Sequence, residues 1–166
     1  LILGLPGETI DTWKENFWRL FRSGNHTGIT VYQAQLLENA EMNLMQRKLY
    51  KMKSQKVYDY FSGSYSNETI EESIEVVTST KDLPPELMLD AEIFAWFVNT
   101  FHINGLSTLY SRFVKKYLNV DYAEFYTDFY ECIKTDPWFA NEELDLRKNF
   151  KEWFATGKLD HEPRSE

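Results

Sequence analysis

The first forty residues restrict the fold most, because they predict a strand, a helix and a second strand in quick succession. Leu1–Leu3 is a short apolar run that the turn residues Gly4-Leu5-Pro6-Gly7 bring to an end. Ile29–Leu37 is rich in β-branched and aromatic residues and has no helical period, so it predicts a second strand. Two strands joined by one helix pair in parallel through a right-handed crossover. The sequence therefore predicts an N-terminal βαβ unit.

The segment between these strands predicts an amphipathic helix that runs to about Arg22. Thr9 stands where a helix N-cap is expected, and Asp11 places negative charge in the first turn. Apolar residues follow at spacings of three and four, which is the helical period. They are Ile10, Trp13, Phe17, Leu20 and Phe21.

The middle of the chain predicts a mixed connecting region over residues 44–84. A loop leads into a short helix between Glu38 and Met52, and Ser62–Asn67 is a turn-rich break. Ile74–Thr78 predicts a third strand, because β-branched residues dominate it.

Residues 85–156 predict a helical domain. Leu87–Ile103 is apolar on nearly every side, which is typical of a buried central helix. A second helix is predicted around Leu106–Tyr117, a third opens at Asp121, and a fourth ends near Thr156. The chain is thus divided into residues 1–43, 44–84 and 85–156, with a polar tail over 157–166. The predicted fold class is α+β and mostly helical, with a βαβ unit followed by a helical C-terminal domain.

Charge and composition exclude several functions. The net charge is −8 and the basic residues are scattered, whereas nonspecific nucleic-acid binding needs a concentrated basic face. Lys115 and Lys116 and the lysines between 48 and 56 are interpreted as solvated helix faces. A run of about 18 apolar residues is absent from the sequence, so no membrane span is predicted. A cytoplasmic location is expected because no targeting signal is present.

The residues that usually carry chemistry are sparse. Cys132 is the single cysteine, which excludes an intrachain disulfide and a thiolate cage, and it is interpreted as a small helix residue. His26, His102 and His161 show no metal-ligand spacing. The aromatic stripe Tyr122–Tyr130 has the spacing of core packing, with a stacking platform as the less favoured alternative.

The turn after the first strand is the one motif that points to a function. Glycines at the C-terminal edge of a strand allow a tight turn and also the close approach of a ligand, and physical reasoning alone favours the turn. The string Gly4-Leu5-Pro6-Gly7-Glu8-Thr9 also resembles the end of the fifth strand in the partial TIM-like barrel of radical-SAM enzymes. Ile29–Leu37 resembles the sixth strand. The following Leu36–Met42 is similar to the cobalamin-binding branch, in which a proline usually stands at the position of Glu38.

This resemblance implies a set of contacts to S-adenosylmethionine (SAM). The end of the fifth strand would lie against the adenine, and the end of the sixth would add contacts to the nucleoside. The implied cofactor-binding residues are Leu3, Gly4, Leu5, Gln35, Leu36 and Leu37. Glu8 is one residue late for the family's acidic position, so it is interpreted as a residue of the turn and helix start.

The resemblance also implies parts that this sequence does not contain. Radical-SAM chemistry needs three cysteines in a Cys-x3-Cys-x2-Cys loop for a [4Fe–4S] cluster that cleaves SAM, and Cys132 alone cannot supply them. The chain is therefore interpreted as the C-terminal portion of a SAM-dependent radical enzyme, either a methyltransferase or an enzyme of related oxidoreductive chemistry. We expect it to be inactive and to bind no cofactor by itself.

Leu1 is not a methionine and reads as the interior of a strand, so upstream sequence is expected to precede it. SAM, the cluster and, in the cobalamin branch, cobalamin are expected in the intact enzyme. The implied partners are the remaining N-terminal barrel strands and, through open sheet edges, a second copy of the chain. The alternative function is a noncatalytic helical interaction module, because three quarters of the chain carries no chemical motif.

Overall fold

The fold is α+β and mostly helical, as predicted. The computed structural model describes residues 1–58 and 73–157. The strands are β1 (Ile2–Leu3), β2 (Tyr32–Gln33), β3 (Lys53–Tyr58) and β4 (Ser73–Ser79). The helices are α1 (Ile10–Arg22), α2 (Arg47–Leu49), α3 (Pro85–Val98), α4 (Thr108–Leu118), α5 (Tyr122–Ile133) and α6 (Pro137–Thr156), and π-helical turns span Met42–Gln46 and Asn99–Ile103.

The βαβ unit is confirmed. β1 and β2 pair in parallel, with Ile2 opposite Tyr32 and Leu3 opposite Gln33, and α1 connects them. The Thr9 hydroxyl accepts a hydrogen bond from the backbone N–H of Thr12, which confirms the predicted N-cap. Thr12, at the third helical position, completes a capping box, because its hydroxyl accepts a hydrogen bond from the Thr9 N–H at 2.8 Å.

The second strand is shorter than predicted, because the chain changes its hydrogen-bonding partner after Gln33. The Val77 N–H donates to Ala34 O and the Leu36 N–H donates to Glu75 O, both at 2.8 Å. The extension of β2 therefore lies beside β4, and the strands follow one another in the order β1, β2, β4, β3. β4 therefore pairs with the chain that continues from β2, at an isolated antiparallel bridge between Gln35 and Val76.

The third predicted strand is confirmed as β4, and its partner β3 was missed. The two strands are antiparallel, with Val57 opposite Ile74. β3 reads Lys-Ser-Gln-Lys-Val-Tyr, which is too polar to produce a hydrophobic strand signal. It forms because the backbone of β4 offers it a hydrogen-bonding edge. The turn-rich break predicted at Ser62–Asn67 lies outside the described residues.

The four predicted C-terminal helices are all present. Two of them begin at aspartates: Asp121 accepts the Ala123 N–H at 3.1 Å, and Asp136 accepts the Trp138 N–H at 2.9 Å. Within residues 1–58 and 73–157 no helix has the length and apolar character needed to cross a membrane.

The core is built around α3, which other elements contact on several sides. Trp13 of α1 is fully buried and its indole Nε1–H donates to Ala91 O at 3.0 Å. Phe97 packs against rings of both α5 and α6, with the Phe97 and Tyr130 centroids 5.1 Å apart. The interpretation of Tyr122–Tyr130 as core packing is confirmed, because Tyr122 and Tyr126 are buried.

One acidic side chain lies inside this core. Glu92 of α3 is buried in this otherwise apolar core. Burial disfavours the ionised form and raises the pKa of Glu92 to about 7. The folded protein therefore holds a proton here that the unfolded chain, with the ordinary pKa of 4.5, releases.

This difference predicts that stability falls as pH rises from about 4.5 to 7. Across that window the unfolded state loses the Glu92 proton while the folded state keeps it, which costs on the order of 3 kcal/mol of unfolding free energy. Glu92→Gln should remove this contribution and stabilise the protein at pH 7. Urea unfolding at several pH values measures it, with Glu41→Gln on the surface as the matched control. Equal pH slopes for Glu92→Gln and the parent chain would contradict the prediction.

Candidate functional site

The turn that follows β1 uses two glycines with left-handed backbone angles. Gly4 has φ +89° and Gly7 has φ +79°, values that side-chain-bearing residues rarely adopt. A Cβ on Gly4 would also lie 3.3 Å from Met88 Cε and 3.4 Å from Val77 Cγ1. Gly4 is therefore fixed both by its conformation and by the close packing of α3 and β4.

Glu8 holds this turn from inside. Its carboxylate Oε2 accepts the Gly4 N–H at 2.9 Å, and the Glu8 N–H donates to Leu5 O at 3.2 Å. Burial raises the pKa of Glu8, and backbone hydrogen bonds at Gly4 and Leu5 act in the opposite direction. The role in the turn that the sequence predicted for Glu8 is confirmed.

The parallel strand pair has one covered face and one uncovered face. Leu3 is fully buried and belongs to the hydrophobic core, as does Leu36. On the opposite face, Ile2 and Tyr32 lie side by side and are 47% and 60% exposed. An apolar surface of this kind is unusual on the sheet of a complete α/β structure, in which both faces are covered.

A cavity of about 290 Å³ lies on this uncovered face at the ends of the strands. Its lining is mostly apolar, with polar groups from Tyr32, Gln33 and Gln35. The lining residues are Ile2, Leu5, Tyr32, Gln33, Ala34, Gln35, Leu37 and Met42.

The six predicted site residues divide between the two faces. Leu5, Gln35 and Leu37 line the cavity, so the structure brings these three together. The side chains of Leu3 and Leu36 instead enter the core, which leaves only their backbone to a ligand. Gly4 is buried and its N–H is already bonded to Glu8. The predicted contact of all six residues with SAM stays a prediction.

The cavity residues that sequence reasoning missed are Ile2, Tyr32, Gln33, Ala34 and Met42. The signal for Tyr32 was available, because residues paired across a parallel ladder point to the same face and Ile2 was already placed in the strand. Met42 carries no comparable signal, since its position depends on the π-helical turn that it opens.

One of the cavity-lining residues, Gln33, is half-buried. Its Nε2–H donates to Val77 O at 2.7 Å, while its Oε1 is buried without a hydrogen-bond partner. An unsatisfied acceptor at the strand junction is costly, and it marks a place where a donor from a ligand or another chain segment would be stabilised. A metal centre is not formed here, because the described residues contain no group of three or more His, Cys, Asp or Glu side chains that could hold an ion.

Comparison with known proteins finds two methyltransferases. The chain is 30% identical over 137 residues to the cobalamin-dependent radical SAM methyltransferase TokK of Streptomyces tokunonensis. The aligned region covers 81% of this chain and 19% of TokK. It is also 30% identical over 168 residues to the 2-(S-pantetheinyl)-carbapenam-3-carboxylate methyltransferase of Streptantibioticus cattleyicolor. This second alignment covers 96% of the chain and 24% of that relative. No family model matches the chain.

Both relatives are methyltransferases, and TokK is a cobalamin-dependent radical SAM enzyme. This similarity supports the relationship to that enzyme family which was predicted from the turn after β1 and the segment after β2. The chain spans about a fifth to a quarter of the length of these two relatives.

The bond between Glu8 and Gly4 predicts a graded response to substitution. Glu8→Ala leaves the buried Gly4 N–H without an acceptor and should lower the unfolding free energy by about 1 to 3 kcal/mol. Glu8→Gln retains an oxygen at the same position and should cost less. Thermal unfolding measures both losses, and the exchange rate of the Gly4 amide proton reports the bond itself. Gly4 exchange as slow in Glu8→Ala as in the parent chain would show that the carboxylate does not hold the turn.

Proposed function

We propose that this chain forms part of a cobalamin-dependent radical SAM methyltransferase, in which β1 and β2 are the last two parallel strands of the partial barrel. The observation that carries the proposal is the uncovered apolar face of the β1–β2 pair, with a cavity at the ends of the two strands. The sequence similarity to methyltransferases over most of the chain supports it.

The open edge of β1 agrees with a sheet that continues beyond this strand. Leu1 O and Leu3 O accept the N–H groups of Tyr32 and Ala34, so β1 bonds to β2 on one side. On the other side β1 has no strand partner within residues 1–58 and 73–157. Because the uncovered face adjoins this free edge, further strands pairing with β1 and curving round would enclose the cavity.

The cavity fits one part of SAM, the adenosine. Leu5 and Leu37 offer apolar surface against which an adenine ring packs and is shielded from water, and the Gln35 amide can exchange hydrogen bonds with its polar edge. Gly4 and Glu8 contribute by fixing the turn that positions Leu5. In the intact enzyme the [4Fe–4S] cluster supplies the electron that cleaves SAM.

The cluster does not fit this chain. Cys132 is the single cysteine of the sequence and lies exposed on α5, whereas the cluster loop needs three thiolates. We therefore propose that the cluster and cobalamin are held by residues outside these 166 and that the chain by itself is inactive.

A helical interaction module is the second candidate function, and α4 is the observation that favours it. Its side chains Leu109, Tyr110, Phe113 and Tyr117 are each more than half exposed. An apolar helix face of this size is typical of a surface that another protein segment covers. This role is compatible with the first proposal, because a module inside a larger enzyme also packs against its neighbours.

Adenosine binding tests the proposed nucleoside site. In a titration with adenosine followed by NMR, the backbone amides of Leu5, Gln35 and Leu37 should shift more than those of α6. Leu37→Asp should weaken the binding about tenfold, because it places charge against the adenine ring. Leu144→Asp, a matched change of an exposed leucine on α6, should leave it unchanged. Equal effects of the two substitutions, or shifts spread over the surface, would contradict the site.

Strand pairing at the free edge of β1 predicts self-association of the isolated chain. The N–H of Ile2 points away from β2, since neighbouring residues of a strand bond on opposite sides. Ile2→Pro removes this donor and should shift the chain toward monomer in analytical ultracentrifugation, whereas Ile2→Val keeps the donor and should behave like the parent. A parent chain that stays monomeric at high concentration would exclude pairing at this edge.

A further inference from the structure

A second cavity lies away from the strand pair, where the end of α1 meets α4. It is an open groove of about 520 Å³, a size that suits a small ligand. Basic and aromatic side chains line it, among them Arg22, Arg112, Lys115, Lys116, His26 and Tyr122. α1 is 13 residues long, so its two ends are about 20 Å apart. The groove is therefore separate from the turn at the start of α1 and from the proposed nucleoside site.

The charge of the groove is opposite to that of the whole chain. The net charge is −8, yet four basic side chains lie together here. Asp121 neutralises part of this charge, since it binds Arg22 at 2.6 Å and Lys115 at 2.9 Å. Arg112 and Lys116 have no acidic partner in the part of the chain that the structure describes. Two positive groups are thus available to a ligand.

Helix stability explains only some of these basic residues. Lys115 and Lys116 lie in the last turn of α4, where positive charge interacts favourably with the helix dipole. Arg112 lies in the middle of the helix and gains nothing from the dipole. It lines the groove together with His26, and after burial its positive charge is a further cause that lowers the pKa of His26. A cation beside a histidine pair, without a carboxylate between them, is an arrangement that a bound anion would stabilise.

A chain of hydrogen bonds fixes how His26 faces the groove. Its Nδ1 lies 3.0 Å from His102 Nε2, and His102 Nδ1 lies 2.6 Å from the Tyr126 hydroxyl. That hydroxyl is 2.9 Å from Ser107 Oγ, so the network ends on buried serine. The network occupies Nδ1 of His26, a residue that lines the groove, and does not use its Nε2. When His102 Nε2–H donates to His26 Nδ1, the proton of His26 stands on Nε2 and can be given to a ligand.

The rim of the groove is aromatic. Phe113 and Tyr117 of α4 form a pair with ring centroids 4.8 Å apart, and both are more than half exposed. Tyr122 of α5 also borders the groove, but its side chain is buried in the core. Flat apolar surface beside unpartnered positive charge favours a ligand that has both a ring and a negative group.

We propose that this groove binds an oxyanion carried on an aromatic ring, either a phosphate monoester or a carboxylate. Arg112 offers a planar pair of N–H donors to two of its oxygens, Lys116 adds a second positive charge, and His26 donates from Nε2. The ring of the ligand packs against Phe113 and Tyr117. This site is independent of the proposed SAM chemistry, since it shares no residue with the cavity at β1 and β2.

NMR titrations of the 166-residue chain with phenyl phosphate, benzoate and benzyl alcohol test the proposal. Phenyl phosphate should shift the ring signals of His26 and the amides around Arg112, and benzyl alcohol should not. Stronger binding of phenyl phosphate than of benzoate would identify a phosphate site, and the reverse order a carboxylate site. Binding should weaken with added salt, because the contacts are charge-assisted. Failure of both anions to shift the His26 signals would overturn the proposal.

A charge-matched pair of variants separates a local site from general attraction. Arg112→Gln with Lys116→Gln should weaken the binding of the better anion about tenfold or more. The control Lys48→Gln with Lys148→Gln removes the same charge from exposed positions elsewhere and should leave the affinity unchanged. Circular dichroism checks that both variants keep the parent helix content. Equal losses in the two variants, or binding of benzyl alcohol as tight as that of the anions, would show that the groove is not an oxyanion site.

Discussion

The structure depends on the burial of α3, a helix that is apolar on nearly every side. No single partner can cover such a helix, so α1, β4 and α6 all contact it. Met88 reaches the turn at Gly4, Ala91 accepts the Trp13 indole N–H, and Phe97 meets the rings of α5 and α6. The hydrophobic effect acting on this one element joins the N-terminal strands to the C-terminal helices.

The position of α3 also decides which face of the strand pair a ligand can reach. Because α1 and α3 cover the face that carries Leu3, the residues on the other face, such as Ile2 and Tyr32, are left to solvent. Met88 of α3 and Val77 of β4 pack against Gly4 and leave little room there for a side chain. The cavity beside the strands is therefore a consequence of core packing on the opposite side, and its apolar wall suits a partner that closes the barrel or a nucleoside that fills it.

Two polar clusters lie within this largely apolar structure. Each forms hydrogen bonds between residues near one of the proposed sites. The Glu8 carboxylate accepts a hydrogen bond from the backbone N–H of Gly4 in the turn after β1. His102 is fully buried and joins His26 to Tyr126, and burial first, with the neighbouring charges of His26 and Arg112, lowers its pKa to about 3. A histidine held neutral in this way transmits hydrogen bonds without taking a charge. The buried clusters thus position groups that face a ligand, while the core supplies the stability.

The sequence by itself determined the local features of this protein. Helix periods, the caps at Thr9 and Asp121, and the βαβ order depend on residues a few positions apart, so they can be read along the chain. The turn motif also indicated the related enzyme family. Each of these features arises from backbone hydrogen bonds or apolar spacing within one element.

Tertiary structure decided what depends on residues far apart. The polar strand β3 exists because β4 offers it an edge, and the same β4 ends the regular pairing of β2 after Gln33. The six predicted SAM residues divide between a covered and an uncovered face because α1 and α3 occupy only one side of the sheet. His26 meets His102 across 76 positions of sequence, a contact that no local pattern encodes, since the packing of α1 against α3 and α5 brings the two rings together.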